Sequence, residues 1–126
     1  MDNHVIISHD GTEMYNLYEV LAHAKEKIVE YLKDGLIDLV LFGSYARGDF
    51  NEDSDIDLFL LYDERIIDHI KVMDAIVEVE FELDHDFPGL VSFFNMSLEK
   101  YEKKGLYPIL KHIDQEGVSL WKNELL

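Results

Sequence analysis

Residues 43–57 read GSYARGDFNEDSDID, and this stretch determines how the rest of the chain is interpreted. An apolar run, residues 36–42, ends just before it, and another apolar run begins as it ends. A glycine followed by serine suits a tight turn, and Asp55 and Asp57 alternate as they would at the start of a strand. The stretch therefore predicts two strands, 36–42 and 55–62, joined by a polar excursion.

The two aspartates at the end of this stretch are candidate metal ligands. In a strand, residues two positions apart project from one face, and their Cα atoms are roughly 6.6 Å apart. Two carboxylates at that spacing can share one hard cation, Mg²⁺ or Mn²⁺, which completes its shell with water and phosphate oxygens. Asp55 and Asp57 are therefore predicted as catalytic and metal-binding residues. Phe59 and Leu61 follow on the same face, so the carboxylates lie at the mouth of a buried sheet.

The glycine–serine turn at the start of the stretch is suited to a triphosphate. Gly43 has no side chain, so its backbone can approach a phosphate closely. Ser44 offers a hydroxyl and a backbone N–H where a short helix is predicted to begin. Arg47 follows about one turn later and could neutralise phosphate charge. These nucleotide-binding residues can meet the aspartates only if the two strands run antiparallel. A hydroxyl could then attack the α-phosphorus in line, with pyrophosphate as the leaving group.

Helical and strand patterns account for the rest of the chain. Apolar residues at helical spacing predict a first helix over 12–34, with Thr12 as its cap and Gly35 as its stop. Further predicted elements are a loop over 48–54, a third strand over 90–96, helices over 98–104 and 106–116, and an edge strand over 118–121. The fold class is α/β (α+β), a mixed sheet of three to four strands with helices packed on it, in one domain over residues 1–126.

Residues 64–84 fit two patterns. Helical spacing is followed by five apolar residues: Ile67, Ile70, Met73, Val77 and Phe81. Residues 78–84, however, alternate strictly between acidic and apolar, as in a half-exposed strand. A helix is predicted, because a long connection is needed before the next strand. The acids of 78–84 would then form a solvated face, and their density could also dock a basic partner.

The composition limits the classes of partner. The chain has 126 residues, with 11 Lys and Arg against 27 Asp and Glu, a net charge of −16. Such a surface repels phosphate backbones, so direct nucleic-acid binding is not expected, although the charge could equally serve solubility. The absence of cysteine excludes disulfides and cysteine catalysis. No segment has the layout of a signal peptide or a membrane span, so we expect a cytoplasmic protein without a membrane partner.

The chain resembles the minimal nucleotidyltransferase (MNT) domain of the DNA polymerase beta superfamily. The family pattern is Gly-Ser, ten residues and Asp-x-Asp, and it is matched by Gly43, Ser44, Asp55 and Asp57. The resemblance implies a mixed sheet with helices, and transfer of a nucleoside monophosphate, often AMP from ATP, to a hydroxyl. Small members are commonly encoded with a HEPN-domain partner, as antitoxin to a ribonuclease toxin, and can adenylylate that partner on tyrosine. We therefore expect a HEPN-type protein to supply the acceptor.

One family position departs from the pattern. A third carboxylate usually lies on the next strand, where it completes the metal site and helps to deprotonate the attacking hydroxyl. The matching residue here is Ser92, which is a poor ligand and a poor base. Asp84 or Asp86 could replace it if residues 76–84 formed the third strand. The rival hypotheses are therefore a catalytically impaired antitoxin that occludes its partner, and a regulatory domain that only binds phosphate or metal.

Overall fold

The computed structural model describes residues 6–7 and 14–123. Its strands are β1 (Ile6–Ile7), β2 (Tyr15–Asn16), β3 (Leu36–Phe42), β4 (Ile56–Tyr62), β5 (Val91–Ser97) and β6 (Val118–Lys122). Its α-helices are α1 (Leu17–Leu32), α2 (Ser44–Arg47), α3 (His69–Asp86), α4 (Leu98–Tyr101) and α5 (Ile109–Glu116). Two 3₁₀ turns lie at Lys33–Gly35 and Lys104–Leu106. None of the helices in the described ranges is long and apolar enough to cross a membrane.

The main sheet has four strands in the order β5-β4-β3-β6. Strand β3 pairs antiparallel with both β4 and β6, whereas β4 pairs parallel with β5. The parallel pair is joined by α3, because a parallel connection needs a crossover of a dozen or more residues. The predictions of a mixed sheet, a central first strand, an antiparallel second strand and a closing edge strand are confirmed. The small β1–β2 ribbon was not predicted.

The first helix begins later than the sequence pattern predicted. Residues Tyr15 and Asn16 form β2 rather than helix, and α1 begins at Leu17. Asn16 caps the helix, because its side chain accepts a hydrogen bond from the Glu19 N–H at 3.1 Å. The predicted cap, Thr12, lies outside the described residues. The predicted stop is correct to within the 3₁₀ turn that ends at Gly35.

Residues 69–86 form a helix, which confirms the choice of helix over strand. Asp68 caps α3, because its side chain accepts a hydrogen bond from the Lys71 N–H at 3.0 Å. The face that packs on the core was not the predicted one. The buried residues of α3 are Val72, Ala75, Ile76, Val79 and Leu83. The residues that suggested the helix are mostly exposed. The helix therefore carries two apolar stripes, and the stripe with the smaller side chains is the buried one.

Two apolar layers lie on opposite faces of the sheet. Helices α1 and α3 cover one face, with Val20, Ile28, Leu39, Leu58, Leu60 and Val79 among the residues of that layer. Helix α5 covers part of the other face, with Ile37, Val40, Phe59, Leu61, Met96, Leu110 and Ile113. Because side chains alternate along a strand, Asp57 shares the α5 face with Phe59 and Leu61. The candidate aspartates therefore lie at the open end of the thinner layer.

Candidate active site

The end of β3 and the start of β4 lie side by side. Phe42 is paired with Asp57 in the antiparallel register, so the next residue, Gly43, adjoins the Asp57 carboxylate. Gly43 has a φ of 77°, in the region that favours glycine. A Cβ at Gly43 would lie 2.5 Å from Asp57 Oδ2. The backbone conformation therefore favours glycine at this position, and a Cβ here would displace the Asp57 carboxylate oxygen.

The predicted short helix forms directly after this glycine. Helix α2 is one turn long, and the Gly43 carbonyl accepts hydrogen bonds from the N–H groups of Ala46 and Arg47, each at 3.1 Å. Ser44, its first residue, is half-buried. Its carbonyl accepts from the Gly48 N–H at 2.9 Å, which closes the turn. This places Ser44 next in sequence to the contact between Gly43 and Asp57, where a phosphate could meet both.

Arg47 is held by two carboxylates. Its Nε donates to Asp49 Oδ2 at 3.2 Å and its terminal nitrogen donates to Glu116 Oε2 at 3.2 Å. The Asp49 hydrogen bond, followed by that of Glu116, raises the pKa of Arg47 above its ordinary value. Neither Asp49 nor Glu116 was predicted as a site residue. Asp49 is only two positions from Arg47, whereas Glu116 is 69 positions away and no local spacing connects it to Arg47.

The two aspartates differ in their surroundings. Asp57 is half-buried and Asp55 is exposed. Burial raises the pKa of Asp57 first, the charge of Asp55 raises it further, and the charge of Arg47 opposes both. A bound cation would remove this repulsion, so the pair fits a metal that takes two protein carboxylates and fills its shell from phosphate and water. That role stays a prediction.

Ser92 occupies the neighbouring position on the third strand. The parallel register of β4 and β5 pairs Asp57 with Ser92, which is exposed. The alternative with Asp84 or Asp86 as a strand residue is wrong, because both belong to α3. Among the described residues there is no group of three or more His, Cys, Asp or Glu side chains that could hold a metal. The described site thus offers two carboxylates and a serine.

Tyr45 packs inside the protein. Its ring is 6% exposed and stacks on Phe50, with centroids 4.3 Å apart and ring planes at 17°. It also lines a cavity of about 430 Å³ together with Leu21 and Leu120, on the α1 side of the sheet. Tyr45 therefore packs against its neighbours at this end of the sheet.

The chain belongs to the family described as nucleotidyltransferase domain, whose sequence profile matches residues 24–115, well over half its length. The matched range contains the glycine–serine turn and both aspartates. The predicted resemblance to nucleotidyltransferases is thereby confirmed.

Relatives are found in Methanocaldococcus jannaschii. The chain is 46% identical over 48 residues to MJ0141, covering 38% of this chain and 48% of that protein. It is 30% identical over 83 residues to MJ0604, covering 66% of this chain and 76% of that protein. Both of these proteins are named as candidate protein adenylyltransferases. The match therefore spans about half the length of the first relative and about three quarters of the second.

Solved structures share the fold. A nucleotidyltransferase-like protein from Sulfolobus solfataricus superposes with a TM-score of 0.55 at 22% identity, covering 85% of this chain and 84% of the other. A chain of the toxin–antitoxin complex MntA–HpeT superposes with a TM-score of 0.53 at 20% identity, covering 80% and 73%. A chain of a toxin–antitoxin complex with AMP-PNP superposes with a TM-score of 0.50 at 25% identity, covering 80% and 75%.

Proposed function

We propose that this protein is a metal-dependent adenylyltransferase that moves AMP from ATP to a hydroxyl of a HEPN-type partner protein, as an antitoxin does to its toxin. The observation that carries the proposal is the contact between Gly43 and Asp57. It brings a phosphate-compatible turn against a carboxylate whose raised pKa a cation would offset. Neither feature alone is informative in a chain with 27 acidic residues.

Each residue has a separate task in the proposed reaction. Gly43 lets the triphosphate approach the backbone, and Ser44 contributes its hydroxyl. Arg47 exchanges Asp49 and Glu116 for phosphate oxygens, which it can bind in a forked geometry. Asp55 and Asp57 would hold Mg²⁺ or Mn²⁺, which when bound stabilises the charge of the transferring phosphoryl group.

The bond changes follow from this arrangement. The acceptor oxygen forms a bond to the α-phosphorus, the bond between the α-phosphorus and the bridging oxygen breaks, and pyrophosphate leaves. The acceptor proton passes to solvent, since Ser92 beside Asp57 is not a base. We therefore expect slow turnover that rises as the pH favours the deprotonated acceptor hydroxyl.

The relatives support the choice of nucleotide and acceptor. Two are named as candidate protein adenylyltransferases, and a chain of similar fold at 25% identity belongs to a toxin–antitoxin complex with an ATP analogue. A protein acceptor is also consistent with the net charge of −16, which favours a basic partner over nucleic acid.

One observation favours a second candidate function. Ser92 stands where a third carboxylate would complete the site, so the chain could bind metal and nucleotide and still transfer little. In that case the protein would act as an antitoxin by covering the active surface of its partner. Binding and transfer must therefore be measured separately.

The test is a transfer assay with ATP labelled in the α-phosphate, Mg²⁺ and a HEPN-domain protein as the acceptor. The Asp57→Asn variant is the control, because it keeps the shape of the side chain and removes its charge. Label on the partner that disappears with Asp57→Asn supports the adenylyltransferase. A stable complex without label supports the occluding antitoxin, and ATP binding without complex or label contradicts both.

A further inference from the structure

Helix α3 has a second apolar stripe that points away from the core. Its members are Ile70, Met73, Val77 and Phe81, which follow one another at spacings of three and four residues. The exposed fractions of Ile70, Val77 and Phe81 are 72%, 65% and 76%, whereas Met73 is 38% exposed and its sulfur accepts a hydrogen bond from Asn95 Nδ2 on β5 at 3.4 Å. Single exposed apolar residues are common, but four in line along one helix mark an interaction surface. We call these four residues the α3 stripe.

Acidic side chains flank the α3 stripe. With 3.6 residues per turn, Asp74 and Glu80 lie roughly 60° to either side of Val77. Asp84 lies roughly in line with Val77, about two turns further along the helix. Six of the eighteen residues of α3 are acidic and one is lysine. The surface is thus an apolar line bordered by negative charge.

The acids on this helix repel one another in the isolated chain. The spacings of Asp74 with Glu78 and of Glu80 with Asp84 are both four residues, which places like charges side by side and destabilises a helix. Among the described side chains of residues 14–123, no ion pair includes Asp74, Glu78 or Glu80. A cationic partner would relieve this repulsion, whereas a second copy of the same helix would double it.

We propose that the α3 stripe is the docking surface for the HEPN-type partner, through a basic amphipathic helix with apolar residues at spacings of three and four and Lys or Arg on its flanks. The inference rests on the proposed function for the existence of that partner. Apolar contacts in the stripe supply affinity, and the flanking acids supply orientation and a fast, salt-dependent association.

The position of the stripe is compatible with transfer. Since α3 connects two parallel strands, it runs antiparallel to them, and its Phe81 end lies at the same end of the sheet as Ser92. Strand β5, which carries Ser92, is an edge of the sheet. A partner lying along α3 can therefore extend a hydroxyl around that edge to Asp57 without passing through the protein.

The experiment measures binding of the HEPN-domain protein used in the transfer assay, by calorimetry at low and high salt. The test variant is Val77→Ser with Phe81→Ser, and the matched control is Leu106→Ser, which changes an apolar residue of similar exposure, 71%, outside α3. We expect the double variant to weaken binding at least tenfold and the control to bind normally. Thermal unfolding should match the wild type in both cases, because the altered side chains are exposed.

A second pair of variants tests the flanking charges. Asp74→Asn with Glu80→Gln should weaken binding several-fold at low salt and less at high salt, whereas Glu26→Gln, an exposed acid on α1, should not. Unchanged affinity of the Val77→Ser with Phe81→Ser variant overturns the inference. The inference is also overturned if the wild-type chain forms no complex with the partner. It is overturned as well if the wild-type chain sediments as a dimer and the stripe variants do not.

The two proposals can fail independently. If the partner receives AMP and the stripe variants bind it normally, the docking surface is wrong and the transferase stands. If binding depends on the α3 stripe and no AMP is transferred, the docking surface stands and the transferase is wrong. Asp57→Asn should bind the partner as the wild type does, since it lies on the opposite face of the sheet from α3.

Discussion

Ser92 on β5 lies beside Asp57 on β4 in the parallel pairing of the two strands. A carboxylate at this position would converge with Asp57 on the same cation, and a hydroxyl contributes neither charge nor a strong base. Under the proposed function, this pair of neighbours would limit the transfer of a nucleotide more than its binding.

Replacing Ser92 with Asp should raise the rate of AMP transfer, by roughly 10- to 100-fold if metal affinity limits the reaction. Without metal, the added charge beside Asp57 should lower the melting temperature, and Mg²⁺ should restore it. Transfer rates and melting curves measured with and without Mg²⁺ check both parts. Ser92→Asn is the control, because asparagine has the shape of aspartate without its charge. Equal rates for the Asp and Asn variants would contradict this interpretation of the site.

Gly43→Ala should abolish most transfer, because its Cβ would meet Asp57 Oδ2. The backbone strain of alanine at the φ of 77° and ψ of −156° of Gly43 should also lower the free energy of unfolding by about 1–3 kcal/mol. Gly48 offers a control: its φ of 88° and ψ of 6° are left-handed, and a Cβ there would meet nothing within 4 Å. Gly48→Ala should therefore lose about 1–2 kcal/mol of stability and keep its activity. Transfer assays and urea unfolding of the two variants separate backbone strain from the contact with Asp57. Equal activities of the two variants would contradict a role for that contact.

Glu116→Gln should tighten the binding of ATP. Glu116 is one of the two carboxylates that hold Arg47, at an N–O distance of 3.2 Å. Removing its charge leaves the guanidinium freer to bind phosphate. An exposed pair of this kind is worth about 0.2–1 kcal/mol, so the dissociation constant should fall by about 1.4- to fivefold. Titration calorimetry at low salt measures the change. Glu99→Gln, which removes an ion pair with Lys103, should have no effect.

Asp63→Asn should destabilise the fold at neutral pH and less so in acid. Asp63 is 1% exposed, and its carboxylate accepts hydrogen bonds from the Arg65 backbone and side chain at 2.8–2.9 Å. Hydrogen bonding from Arg65 holds the pKa of Asp63 below its ordinary value, although burial opposes this. The ionised form is thus favoured by folding. Its contribution is complete above the ordinary carboxyl pKa and is lost as the pH falls through the lower pKa of the folded state.

At pH 7 this substitution should lower the free energy of unfolding by about 1–3 kcal/mol, and the difference from the wild type should shrink below about pH 4. Urea unfolding at pH 7 and pH 3 measures it. Asp34→Asn, an exposed aspartate, serves as control and should change stability little at either pH. A difference for Asp63→Asn that is the same at both pH values would contradict the role of its charge.

Local spacing explains which parts of this fold were predictable. The turn at Gly43 and the strand that begins next to Asp57 are close in sequence, so their pairing followed from the chemistry of one stretch. The outward face of α3 did not follow, because Val77 and Val79 belong to two apolar stripes and only packing against α1 decides between them. The contact of Arg47 with Glu116 depends on where α5 ends against the sheet, which no pattern in either segment encodes.

The closing strand β6 constrains the order in which the sheet can form during synthesis. It pairs Asp38 with Lys122 and Leu39 with Trp121, residues more than eighty positions apart, so one edge of β3 stays open until that segment has left the ribosome. Strands β3 and β4, by contrast, can pair early because their connection is short. A nascent chain would therefore carry the aspartates and the glycine turn in place while Arg47 still lacked Glu116. A ribosome-stalled chain that ends before Glu116 should bind nucleotide before it completes its sheet.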